Sequence, residues 1–249
     1  MLTFEQQRAE VQYNLGSKYN RRQLLKNISC QNGRVLDVGS QTGDNVAIFK
    51  GCELYGFDLS FTGQAKGIRP EVHMITADAT AVPFRSNSFD AIIINHVLEH
   101  IPDQYAALRE AERLLKPGGT VWLACPTSFS GQLKPGEAEK HKHVRGYTSR
   151  SLEIAAAGHF DVRKRYIVGR AMWFYQIWIL KFLVQINRVQ IKLSSKEKLL
   201  WQRAWMIKAV NPILQIFLFP LEDFLSQLPW WPTDLAMVLN TCLVLEKKK

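Results

Sequence analysis

The chain has 249 residues, 47% of them hydrophobic and 22% charged, an ordinary soluble composition long enough for one large core, which excludes a disordered, repeat-built or disulfide-stapled protein. Its net charge of +10 is unevenly placed: residues 134–210 carry 16 Lys and Arg against 5 Asp and Glu, and the remainder sums to −1. Such a basic face attracts anionic partners, namely phosphorylated substrates, acidic headgroups or nucleic acid.

Cys30, Cys52, Cys125 and Cys242 are scattered, form no C-x-x-C pair and have no neighbours at metal-ligand spacing, so they read as reduced structural residues and no metal is expected. The polar N-terminus lacks the apolar core of a secretory signal, and the expected location is the cytoplasm.

In chain order, short aliphatic runs predict strands near Arg34–Val38, Glu53–Asp58, Val72–Thr76, Ala91–Asn95 and Thr120–Cys125, with helices filling the gaps. This alternation is that of a doubly wound α/β protein with a mostly parallel sheet. The segment IPDQYAALREAERLLKPGG predicts the clearest helix: Tyr105, Leu108, Ala111 or Glu112, and Leu115 follow helical spacing, Pro102 sits at its start, and Lys116-Pro117-Gly118-Gly119 stops it. Thr148 or Ser149 can cap a helix through Ala157, Phe160–Val168 reads as a strand, and MVLNTCLVLEKKK as a final one. Between these last strands, Gly169 to Pro232 form an insertion holding six of the seven tryptophans. The expected organisation is one domain from residues 1–168 and 233–249, with a helical insertion over 169–232.

The sharpest motif is RVLDVGSQTG, Arg34 to Gly43: a buried strand, an acid, then a glycine turn expected to open a helix. The spacing Gly39-Ser40-Gln41-Thr42-Gly43 is not the G-x-G-x-x-G of a dinucleotide-binding reductase, and Asp37 disfavours a pyrophosphate while suiting a cation. The second strand ends at Asp58, where a carboxylate can accept two ribose hydroxyls, and the third runs into TADATAVPF with Asp78 at the same edge. A lone acid at such a place is as often a helix N-cap, but three in successive turns favour a ligand site.

Taken together, VLDVGSQTG, YGFDLS, ADATAVPF, SFDAIIINHVLEHIPD and LLKPGGTVWLACP resemble, in order and spacing, the successive motifs of the class I S-adenosylmethionine-dependent methyltransferases, and more narrowly their small-molecule and lipid branch. The resemblance spans Arg34 to Pro126 strongly and Tyr147 to Val168 weakly. It implies a seven-stranded Rossmann-like sheet with a reversed last strand, and S-adenosyl-L-methionine as cofactor, with S-adenosyl-L-homocysteine as product. It also implies a site in which Asp37, Gly39, Ser40 and Gly43 hold the methionine end, Asp58 with Leu59 the ribose, and Asp78 with Ala79 the adenine edge. Asn95 and His96 would line the space beside the reactive methyl, while Phe89 and Asp90 start a strand. The family usually has glycine where this chain has Gln41.

Methyl transfer needs an aligned nucleophile and, where that nucleophile carries a proton, a base. Candidate bases are His96, His100, His141 and His143, with His96 and His143 preferred as catalytic residues; His100, Arg145 and Tyr147 are expected to bind the acceptor, Arg145 by orienting an anionic group. Within the insertion, AMWFYQIWILKFLVQI and WMIKAVNPILQIFLFPL are too short or too interrupted to span a membrane. Two readings of them stay open: an interfacial element lying in a headgroup layer on the inner face of a membrane, or a lid packed on the sheet. The expected acceptor is a hydrophobic or membrane-linked small molecule, a lipid, quinone-like or lipid-carried glycan, methylated at oxygen. Asn95-His96-Val97-Leu98 stands where amino-methylating nucleic-acid enzymes carry an Asn/Asp-Pro-Pro-aromatic stretch, which disfavours base methylation. The alternatives are an RNA methyltransferase and a non-catalytic cofactor-binding scaffold.

Overall fold

The computed structural model describes residues 15–28, 30–60, 67–128, 130–133, 142–168, 216–225 and 239–248. The chain divides into two compact units, Gln23–Ile167 with Trp231–Lys249, and Met1–Arg22 with Val168–Trp230.

Seven strands form the sheet of the larger unit: β1 (Arg34–Val38), β2 (Glu53–Asp58), β3 (Val72–Thr76), β4 (Phe89–Asn95), β5 (Leu115–Thr127), β6 (Phe160–Val168) and β7 (Leu239–Lys247), in the order β3-β2-β1-β4-β5-β7-β6. The β3-β2-β1-β4-β5 neighbours pair in parallel. β7 runs antiparallel to β5, with Trp122 opposite Val244 and Leu123 opposite Leu243, which gives the reversed strand that the resemblance implied. The chain winds outward from β1 through β2 to β3, then returns to β4 on the other side of β1. The carboxyl ends of β1 and β4 therefore flank a topological switch point, where open α/β sheets bind ligands.

The core follows from the strand sequences. Leu36, Ile92, Ile94, Val121, Leu123, Leu243 and Leu245 are buried in one cluster with residues of two helices, α2 (Gln104–Leu114) and α3 (Ser149–Ala157); another helix, α1 (Leu15–Asn27), precedes β1. Each such side chain contributes about 1.5–3 kcal/mol. Tyr55, Phe84 and Phe89 meet edge to face, with centroids 5.1–5.7 Å apart, so Phe89 anchors the start of β4 as the sequence suggested.

Asp103, rather than Pro102, caps α2, its carboxylate accepting from the Ala106 N–H at 2.9 Å. The buried stripe is Ala107, Leu108, Ala111 and Leu114; Tyr105 is exposed, and Leu115 already belongs to β5. Thr148 caps α3 through a reciprocal box with Ser151.

Three expectations are corrected. β5 starts at Leu115 rather than Thr120, because Lys116 to Gly119 stay in the strand as an irregularity: Phe89 pairs with Leu115 but Ala91 with Thr120. The tight passage suits glycine, since a Cβ on Gly119 would stand 2.9 Å from the Asp90 carbonyl oxygen. No helix fills the gap between β3 and β4, where Asp78 and Ala81 form a bridge in a tight turn. Nor does a helix follow β1: residues 41–48 are consecutive turns, because Gly39, Gln41 and Gly43 all have positive φ and only scattered bonds follow, such as Ala47 N–H to Gly43 O at 3.0 Å.

In the smaller unit, a helix over 216–225, α4, buries Phe219 and Glu222. The Tyr19 ring meets Phe219 edge on at 5.5 Å, and the Tyr19 hydroxyl donates to Asp223 at 2.6 Å. The rest of the expected insertion lies outside the described residues, as does His141. Among the described residues, no helix is long and apolar enough to cross a membrane.

Candidate active site

The loop after β1 is shaped by its residues before any ligand is considered. Gly39 has φ +63°, and a Cβ there would stand 2.5 Å from a Val97 methyl. The β1 loop therefore packs directly on the segment following β4, next to His96. Ser40 donates its N–H to the Phe57 carbonyl at 2.9 Å, and Gln41 donates to Asp58 Oδ2 at 3.1 Å. Gly56 makes this approach possible, since a Cβ on it would lie 2.6 Å from Ser40 Oγ. Gln41 itself has φ +51°, so the backbone keeps the conformation of the family's glycine with a side chain in its place.

Asp37 lies at the centre, fully buried, with no hydrogen-bond partner completed to either carboxylate oxygen. Burial pushes its pKa well above the carboxylate range and Asp58 adds to the rise, while the neighbouring Asn45 offsets part of it. A buried, unpaired acid is costly and asks for a cation. An ammonium donates to carboxylate oxygens and carries the compensating charge, so the residues present fit the aminoacyl end of S-adenosylmethionine.

The remaining expected cofactor residues fall along the same edge. Asp58, half-buried, ends β2, and the following Leu59 is largely exposed. Asp78 is exposed, and its Oδ1 accepts from both the backbone and the hydroxyl of Thr80, at 2.8 and 2.7 Å, which lowers its pKa. Much of its hydrogen-bonding capacity is thus used in its own turn. Ala79 packs against the core, and half-buried Asn95 ends β4.

Beyond β4 the structure brings together three of the expected residues, His96, His100 and His143, with Glu99, which the sequence alone did not single out. His96 sits at φ +58°; its surroundings, then His100 and His143, pull its imidazole down to about 4. Its Nδ1 is 3.8 Å from Glu99 Oε1. Glu99 is the missed residue: in a 3₁₀ turn, Leu98–His100, it is 2% exposed with no hydrogen-bond partner to either carboxylate oxygen. Burial pushes it up to about 7. The signal was a glutamate flanked by apolar residues in VLEHI, between two histidines. The His100 and His143 rings meet edge on at 4.8 Å.

Glu99, His143, Arg145 and Tyr147 line a shallow, open cleft with Thr127 and Gln132. Arg145 donates to the Pro102 carbonyl and buries a second guanidinium nitrogen, Nη1, without a partner. The Tyr147 hydroxyl donates to Gln104 at 2.5 Å, and burial raises its pKa.

A sheet of this order with a reversed β7, a left-handed glycine loop after β1 and acids at successive strand ends defines a class I methyltransferase fold. Residues 36–123 match the model of the methyltransferase domain family. The chain is 38% identical over 95 residues to the demethylmenaquinone methyltransferase of Renibacterium salmoninarum, covering 36% of this chain and 40% of that protein. It is 34% identical over 125 residues to the demethylmenaquinone methyltransferase of Corynebacterium urealyticum, covering 49% and 52%. The match thus spans about half the length of these relatives or less. Among solved structures, phosphoethanolamine N-methyltransferase 2 of Haemonchus contortus in complex with S-adenosyl-L-methionine superposes with TM-score 0.58 at 18% identity, over 93% of this chain and 53% of that one. The fold is thus that of the class I methyltransferases, and residues 36–123 are similar in sequence to the methyltransferase domain family.

Proposed function

We propose that this protein transfers a methyl group from S-adenosylmethionine to an oxygen of a hydrophobic, quinone-type small molecule. The observation that carries the cofactor half is Asp37, a fully buried carboxylate at the switch point of the sheet with no hydrogen bond completed to either oxygen. The names of the relatives favour the acceptor class.

When bound, the cofactor supplies a methyl group on a sulfonium, a good leaving group. Asp37 would hold the ammonium, and the loop from Gly39 through Ser40 to Gly43 would border the aminoacyl end. Asp58 accepts the ribose hydroxyls beside Leu59, and Asp78 with Ala79 borders the adenine. Asn95 and His96 would border the reactive methyl, and the neutral His96 imidazole would accept a hydrogen bond from the acceptor hydroxyl, aiming its oxygen. His143, His100, Arg145 and Tyr147 border the acceptor cleft. The exposed aromatic face of α4 and the basic region over 134–210 serve contact with anionic lipid, the phase in which such an acceptor resides.

Calorimetry with S-adenosylmethionine on the wild type and Asp58→Ala tests the cofactor half: micromolar binding lost in the variant supports it, and a folded wild type that binds nothing overturns it. Mass spectrometry and NMR of products from hydroxylated quinones then test the acceptor, and a product methylated only at carbon overturns the oxygen assignment.

A further inference from the structure

We propose that Glu99, His100 and His143 form a binding site for a first-row divalent transition metal ion. The ligand atoms of the three all lie within 4.8 Å of one another. Two imidazole nitrogens and one carboxylate oxygen suit borderline cations such as Zn²⁺, Co²⁺ or Fe²⁺ rather than Mg²⁺ or Ca²⁺, which favour oxygen alone. This departs from the sequence-based expectation of no metal.

Three features distinguish the cluster from a chance meeting of polar side chains. Glu99 is buried with neither carboxylate oxygen hydrogen-bonded, a state that a coordinated cation relieves. The segment bearing His143 is tied to the 3₁₀ turn, since the Val144 N–H donates to the Glu99 carbonyl at 2.9 Å. His100 Nδ1 lies 3.2 Å from the Lys142 carbonyl; an Nδ1–H donating there leaves Nε2 with its lone pair, the outer hydrogen bond that orients metal-binding histidines. Bond lengths near 2.1 Å require ligand atoms no more than about 4.2 Å apart, so binding draws the three together by a fraction of an ångström. His100 is exposed and can rotate to do so. Glu99 and His143 both line the cleft, so open coordination positions face it.

The test uses the full-length chain after dialysis against a chelator, titrated with Co²⁺ and followed by visible absorption, with Zn²⁺ as competitor. One equivalent of Co²⁺ is expected at micromolar or tighter affinity, displaced by Zn²⁺. Glu99→Gln and His143→Ala should each weaken it at least 100-fold, and so should His100→Ala, a surface change that leaves the fold intact by near-UV circular dichroism. A wild type without the cobalt spectrum, or one whose affinity survives His100→Ala and Glu99→Gln, overturns the site. The readout needs neither S-adenosylmethionine nor an acceptor, so it fails or succeeds independently of the methyl-transfer reading.

Discussion

Gln41 donates its N–H to Asp58 at 3.1 Å from a left-handed backbone, φ +51°, tying the end of β1 to the end of β2. A side chain at such a φ costs about 1–2 kcal/mol, partly offset because glycine loses more conformational entropy on folding. Gln41→Gly is therefore expected to raise stability by about 0.5–1 kcal/mol and to keep or tighten S-adenosylmethionine binding, since the hydrogen bond is made by the backbone. Urea unfolding and calorimetry check both. Weaker cofactor binding in the glycine variant would show that the Gln41 side chain itself holds the ligand.

Asp37 should trade stability against affinity. Its pKa is raised in the folded protein by burial, so the unfolded chain releases its proton first as pH rises. The stabilising contribution is complete below the ordinary carboxylate value and is lost as pH climbs through the folded pKa. Because it removes the titrating group, Asp37→Asn should flatten this decline and stabilise the cofactor-free protein at the high-pH end of the series by about 1–3 kcal/mol. The same change should weaken S-adenosylmethionine roughly 10- to 100-fold, the worth of a charged hydrogen bond. Thermal melts across a pH series, with and without cofactor, separate the two effects; a destabilised Asp37→Asn would contradict the account of an unpaired acid.

The parts of this architecture that were legible in the sequence are those governed by local chemistry. Asp37, Gly39 and Gly43 announce a strand and a turn, Thr148 caps its helix, and the apolar run ending the chain is β7. What escaped depends on partners distant in the chain. Gly119 belongs to a strand because Asp90 crowds it, and Tyr105 shares the helical period of Leu108 yet faces solvent. Glu99 reads as a surface acid until the 3₁₀ turn carries it under the β5 end. The loop after β1 kept its function-bearing glycines but not the expected helix, since its alternating left-handed residues interrupt helical bonding.

His96 occupies a left-handed position, φ +58°, which asparagine tolerates better than most residues. His96→Asn thus preserves the backbone while removing the imidazole. The expected result is a turnover number lower by about 100-fold, the lower end of what a positioned proton-handling group supplies, with S-adenosylmethionine affinity nearly unchanged. Parallel losses in affinity and turnover would instead assign His96 to the cofactor loop through Val97. Because the imidazole is held down at about 4, it stays neutral above that value, and His96→Asn should lower activity without moving any limb of the pH profile above pH 6.

α4 presents an apolar face to solvent. Phe217, Leu221 and Phe224 recur at the spacing of one helical face and are 69%, 47% and 63% exposed, while Phe219 and Glu222 are buried on another. Such exposed apolar side chains add little to the core, and each one transferred from water into a headgroup layer gains up to about 1.5–3 kcal/mol. The basic region over 134–210 adds an attraction that salt screens. Replacing Phe217, Leu221 and Phe224 together by serine should therefore abolish cosedimentation with anionic vesicles even at low ionic strength. High salt should weaken the wild type only partially, since the apolar contribution survives screening. Equal sedimentation of the triple variant would leave charge alone as the attachment, and a wild type that stays in the supernatant would remove the membrane from the proposal.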